Sequence, residues 1–100
     1  MKPLRYHPSV QRDIHEAMRY YLESASENVA SRFWNELLSA LSRIQAEPDS
    51  HHFDPSGLRR HNMSRFPYHI LFQNLDDRIR IQVIRHNSRS PNFGAHRKRD

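Results

Sequence analysis

Past residues 4–7, the spacing of apolar residues changes period once along this chain, and the change falls between Pro48 and Gly57. Before it, apolar side chains recur at steps of three and four. After it, they alternate. The first period marks one face of a helix and the second one face of a strand. A chain of 100 residues holds one core, so helices and strands must share it. The expected architecture is a single α+β domain over residues 1–100, in the order β-αα-βββ. A helical hairpin would pack on one face of a small, antiparallel-rich sheet.

The elements follow from local chemistry. Leu4-Arg5-Tyr6-His7 alternates, and Pro8 ends it. Val10, Ile14, Ala17, Met18, Tyr21 and Ala25 share one helical face. Ser26 suits the N-cap of a second helix, with Glu27 in its first turn. Ala30, Phe33, Trp34, Leu37, Leu38, Leu41 and Ile44 form its wide apolar stripe, with Trp34 expected in the core. Pro48 stops the helix near Glu47. Residues 48–57 read as a loop. Strands are expected over 58–63, 68–73 and 79–86, with a hairpin loop at 74–77. Ile79, Ile81 and Val83 would share a face. Ile84 breaks the alternation, which predicts a bulge or a strand covered on both faces. The far face of the sheet would be polar and Arg-rich, and residues 97–100 would fray.

Composition removes several function classes. The chain has no cysteine, so disulfides and thiolate zinc sites are excluded, in keeping with a cytoplasmic protein. No apolar run approaches the roughly 18 residues of a membrane span. The stretch after Lys2 lacks the apolar core of a signal peptide, so none is expected. Only Gly57 and Gly94 are glycines, which leaves no phosphate-binding loop. No nucleophile-elbow pattern is present. His51 and His52 are adjacent in a loop near Asp54, but no metal-ligand spacing accompanies them, and no metal or cofactor is expected.

Charge is unevenly divided. Residues 1–54 hold 6 Lys/Arg against 8 Asp/Glu, whereas residues 55–100 hold 10 against 3. The basic set is Arg59, Arg60, Arg65, Arg85, Arg89, Arg97, Lys98 and Arg99, with His61, His69, His86 and His96 among them. Such a surface binds phosphates or an acidic protein segment. Histidine and arginine also supply what a metal-free ribonuclease needs: a base, an acid and a cation for the developing phosphorane charge. Phe93, just past the last strand, either stacks on a partner or tucks the tail onto the core.

Three phrases carry a resemblance: Gly57-Leu58-Arg59, Arg65-Phe66-Pro67-Tyr68-His69-Ile70 and His86-Asn87-Ser88-Arg89-Ser90-Pro91. With the opening Tyr6-His7-Pro8-Ser9-Val10 and the β-αα-βββ order, the chain resembles the RelE/ParE superfamily of type II toxin–antitoxin toxins, in its ParE-like branch. The resemblance implies a growth-inhibiting toxin bound by a cognate antitoxin in a hetero-oligomer. It also implies poisoning of DNA gyrase by protein contact, with Arg59, Arg60, Arg65, Arg85, Arg89 and Phe93 as the binding surface. The alternative is a RelE-like nuclease that cuts mRNA on the ribosome. The RelE pattern falls on Arg60, Asn62, His69, Asn87 and Phe93, where only Arg60 keeps a permanent charge and no tyrosine hydroxyl stands at Phe93. His69, His86 and Arg89 would then do the acid–base and charge work. A third reading is an inactive member kept for binding.

Overall fold

The computed structural model describes residues 1–98. Strand β1 (Leu4–Tyr6) leads into helices α1 (Val10–Ser24) and α2 (Glu27–Ala46), a 3-10 turn at Pro48–Ser50, and strands β2 (Arg59–Asn62), β3 (Tyr68–Asn74) and β4 (Ile79–His86). The sheet order is β1-β4-β3-β2. β2, β3 and β4 pair antiparallel in sequence, and β1 lies parallel to β4 with Leu4 opposite Ile79. The α+β expectation and the element order are met.

Local signals act where expected. The Ser26 hydroxyl accepts the Val29 N–H at 3.2 Å and starts α2. α2 ends at Ala46, two residues before Pro48. Both helices lie on one sheet face. Phe33, Leu37 and Ile44 of α2 meet Ile70 and Phe72 of β3 and Ile79, Ile81 and Ile84 of β4, all at 0 or 1% exposure. Phe33 stands edge-on to Phe66 and Tyr68, with ring centres 5.2 and 5.1 Å apart. Such aromatic edges add to the area term that holds this layer.

The register slips once, between Leu71 and Phe72. Leu71 faces Val83 and Phe72 faces Ile81, which leaves Gln82 as the extra residue of a β-bulge. This corrects the expected face assignment. The bulge turns Val83 away from Ile79 and Ile81, and Ile84 takes its place in the helix-side core. Val83 joins Leu71 and Leu58 in a second, smaller core on the opposite face, with Phe93 packed over it. That face is therefore covered, not simply polar.

Its cover is a strap, residues 90–98. The Gln82 amide donates to the carbonyls of Gly94 (3.2 Å) and Arg97 (3.0 Å). Gly94, at φ 72°, lies so close that an added Cβ would sit 2.5 Å from Val83 Cγ2. The Arg97 guanidinium makes a two-pronged bond to the Asp13 carboxylate at 2.7 and 2.8 Å. Fraying from residue 97 is thus corrected: a buried acid on α1 holds Arg97, and His7 Nε2 lies 2.6 Å from the Lys98 carbonyl. Arg99 and Asp100, also assigned to the fraying tail, lie outside the described residues.

Trp34 is a third correction. It is 40% exposed and Leu38 45%. The stripe on α2 is wider than the sheet can cover. Phe33, Leu37 and Ile44 take the sheet, and the neighbouring column is left at the flank. There Trp34 and Leu38, with Tyr6, Val10, Ile14 and Leu41, line an open apolar groove of about 410 Å³. Among the described residues, no helix is long and apolar enough to cross a membrane.

Candidate functional site: a basic cavity under the strap

Strand alternation divides the basic residues into separate groups. Arg59 pairs with Phe72 and so points to the helix side, whereas Arg60 pairs with Leu71 and points to the strap side. Arg59 bonds the His51 carbonyl at 2.7 Å and lies over the Phe53 ring at 4.4 Å, away from the strap. Arg65 is exposed in the β2–β3 turn, with its amide on Glu36 of α2 at 2.8 Å. Of the expected surface, the fold brings together Arg60, Arg85, Arg89 and Phe93, and it places Arg59 and Arg65 elsewhere.

A cavity of about 410 Å³ opens between the strap and the 54–57 turn, lined by Asp54, Arg60, His69, Arg85, Asn87 and Arg89 among others. Arg85 lies beneath it at 4% exposure. Its Nε donates to His69 Nε2 at 2.8 Å, and its Nη1 donates to the carbonyls of Pro91 (2.8 Å) and Phe93 (2.9 Å). Asp54 Oδ1 lies 3.9 Å from Arg85 Nη2 and 3.4 Å from Arg60 Nη1. Arg85 is therefore a fastener of the strap and not an outward contact. Burial lowers its pKa, Asp54 opposes that, and Arg60 adds to it.

His69 is 2% exposed and both ring nitrogens are in use. Because Nε2 accepts from Arg85, the proton sits on Nδ1 and is donated to Asn87 Oδ1 at 2.7 Å. Burial pushes the imidazole below its ordinary pKa. The Asn87 bond opposes this, and the Arg60 and Arg85 charges add to it. For Asp54, burial acts upward, but hydrogen bonds from Ser56 and the Arg85 and Arg60 cations outweigh it and hold the carboxyl low. The result is a neutral imidazole and an ionised acid beneath a rim formed by the half-buried Arg60 and the exposed Arg89.

The rim holds an exposed cation and an aromatic ring together. Arg89 is exposed, and its guanidinium lies 3.8 Å above the Phe93 ring. Phe93 also closes the second core, as the tail-tucking reading expected, and its stacking contact is with Arg89 of its own chain. The candidate nuclease set does not assemble on one face. His69 is on the strap side, whereas His86 pairs with Tyr68 and lies against its ring at 5.1 Å on the helix side.

Three residues outside the candidate set organise this site: Asp13, Asp54 and Gln82. Asp13 had a readable signal, since it falls three residues after Val10 and four before Ala17 on the buried face of α1. An acid there needs a partner. Asp54 heads the Asp-Pro-Ser-Gly turn, in which the Ser56 amide bonds its Oδ2 at 2.9 Å. Among the described residues, no group of three or more His, Asp or Glu is placed to hold a metal ion.

The comparisons with known proteins agree with this architecture. The chain is 30% identical over 92 residues to Toxin ParE2 of Mycobacterium tuberculosis, in strains CDC 1551 / Oshkosh and ATCC 25618 / H37Rv. The match covers 89% of this chain and 85% of the relative. A chain of the chromosomal ParDE TA system from P. aeruginosa superposes with a TM-score of 0.75. That match has 18% identity, covers 86% of this chain and 96% of the other, and bears on the fold alone. The family model for the ParE toxin of type II toxin-antitoxin system, parDE, spans residues 4–91, and the chain belongs to that family.

Proposed function

We propose that this ParE-type toxin arrests growth by seating the strap and its cationic rim on DNA gyrase in the cytoplasm. The observation that carries the reading is the Arg89–Phe93 pair. It is an exposed cation on an aromatic ring, held in place from beneath by Arg85. A preorganised aromatic–arginine patch is what a protein-contact hot spot requires. The buried His69, with both nitrogens bonded, favours contact over proton transfer.

The same reading gives the cognate antitoxin the apolar groove of Tyr6, Trp34 and Leu38, which lies outside the rim. An amphipathic segment, disordered when free, would lay its apolar face there and build the hetero-oligomer.

The test is a supercoiling assay with purified gyrase, run beside ribosome-programmed mRNA cleavage. Loss of supercoiling with intact mRNA, weakened by Arg89→Ala, is the expected result. Cut mRNA with normal gyrase would overturn the reading. Normal gyrase and intact mRNA would leave a binding-only member.

A further inference from the structure

Residues 51–54 double back along the edge strand β2. The Arg60 amide donates to the His52 carbonyl at 3.0 Å, Phe53 bridges to Arg59, and the Asp54 amide donates to the Leu58 carbonyl at 2.7 Å. At the helix end of this return, His51 Nε2 and His61 Nδ1 lie 2.8 Å apart. At its far end stands Asp54, the acid between Arg60 and Arg85. One short segment thus joins an imidazole pair on one sheet face to the basic cavity on the other.

The protonation state of the pair follows from its partners. His51 Nδ1 lies 3.0 Å from the Glu47 carbonyl, which can only accept, so Nδ1 carries a proton. In the neutral pair His51 Nε2 is then the acceptor and His61 Nδ1–H the donor. One added proton is tolerated. His51 becomes the donor, and the His61 proton moves to its outer nitrogen. A second added proton leaves N–H groups facing each other at both inner nitrogens, and the bond cannot exist.

The surroundings disfavour that second charge. From α2, Arg43 and Glu36 share the cleft beside His61. Glu36 Oε1 is taken by Ser64 and by the Arg65 amide. From the 3-10 turn, Asp49 is directed to Arg59 at 3.5 Å and to the Asn74 amide at 2.7 Å. From β2, Arg59 bonds the His51 carbonyl, and from β3 the Phe72 ring lies against His51 at 5.2 Å. Two arginines and an aromatic ring surround the pair, and neither acid bonds either ring. Burial pushes His61 below its ordinary pKa, with His51 and Arg43 adding to the effect.

We propose that His51 and His61 form an acid-sensitive pin that holds at most one added proton while closed, so that the second releases the 51–54 return and withdraws Asp54 from Arg60 and Arg85. Acid then acts on the basic cavity from the opposite face of the sheet. The proposal does not depend on gyrase as the target.

The experiment is an NMR titration of the full chain from pH 8 to pH 4.5. It follows the imidazole signals of His51 and His61 and the exchange protection of the Arg60 amide, corrected for intrinsic exchange. The expected result is a coupled pair titrating in two steps, the lower well below the ordinary imidazole range. Between the steps, opening takes up one proton, so Arg60 protection falls about tenfold per pH unit. His61→Gln removes that slope. Single, independent titrations in the ordinary range would overturn the proposal, as would an unchanged slope in His61→Gln. If the variant does not fold, the wild-type titration decides alone.

Discussion

The two faces of the sheet are built from different materials. The helix side is a continuous apolar layer in which Phe33, Leu37, Ile70, Phe72, Ile79 and Ile81 are fully buried. The strap side has a core of three buried residues, Leu58, Leu71 and Val83, with Phe93 above them. The second face is held instead by charged and amide side chains that grip backbone carbonyls and one buried acid. Apolar burial is additive and tolerant of small shifts, whereas a polar tie is short-ranged and costly when half of it is lost. The first face therefore sets whether the chain folds, and the second sets where Arg60, Arg89 and Phe93 stand.

The sharpest way to break this contrast is a pair of truncations of similar expected cost. Phe33→Ala should lose about 3–5 kcal/mol by leaving a cavity in the helix-side layer. Asp13→Ala should lose about 3–5 kcal/mol by stranding the Arg97 guanidinium. Urea unfolding measures both, and amide exchange separates them. Phe33→Ala should lower protection throughout, whereas Asp13→Ala should lower it first over residues 82–97. Uniform loss in both would mean that the faces are one cooperative unit.

Gly94→Ala is next in size. A Cβ there meets Val83 at a positive φ, so about 1–3 kcal/mol of overpacking is expected, confined to the strap. An unchanged unfolding midpoint would show that the strap is loosely seated.

Acid should weaken both faces through one histidine each, His61 on the helix side and His69 on the strap side. Both are held below the ordinary pKa of about 6.5. Below that value the unfolded chain binds more protons than the native one. The contribution is therefore complete above about pH 6.5 and is lost as pH falls through the folded values. Urea midpoints at pH 7.5 and pH 5.5 should differ, and His69→Gln should narrow the gap. A gap that His69→Gln leaves unchanged would remove the strap side from the account.

The smallest stability effects separate the two proposed partners. Arg89→Ala should change stability by about 0.5–1 kcal/mol, the cation–π contact, and Trp34→Ala by about 1–2 kcal/mol, since its ring is 40% exposed and otherwise covered. Trp34→Ala should weaken antitoxin binding and spare gyrase inhibition, and Arg89→Ala should do the reverse. Isothermal titration and supercoiling assays read the two outcomes.

Legibility followed the same division. The helix side was readable because its residues repeat at steps of three, four or two, and periodicity is the trace that burial leaves in a sequence. Ile84 announced an irregularity in β4, but only the register shows that Gln82 is the extra residue and that Val83 changes sides. Trp34 misled because an apolar stripe does not state how wide its cover is. Arg85 and Arg89 are four residues apart and chemically identical, yet one is a buried fastener and the other stands exposed over the Phe93 ring. Nothing periodic distinguishes them, since their partners are backbone carbonyls and a ring brought in from the strap.

The pairing of β1 with β4 has a consequence in time. Leu4 finds its neighbour at Ile79, so the sheet cannot close until nearly the whole chain has been synthesised. At about 5–20 residues per second, the stretch from Ala46 to His86 takes roughly 2–8 s to translate. Every residue of the apolar groove, from Tyr6 to Leu41, has been joined to the chain before that interval begins. The cationic rim and its strap come last. If the groove is where the antitoxin grips, the residues of restraint are made before those of the rim, and β4 completes both surfaces by seating β1.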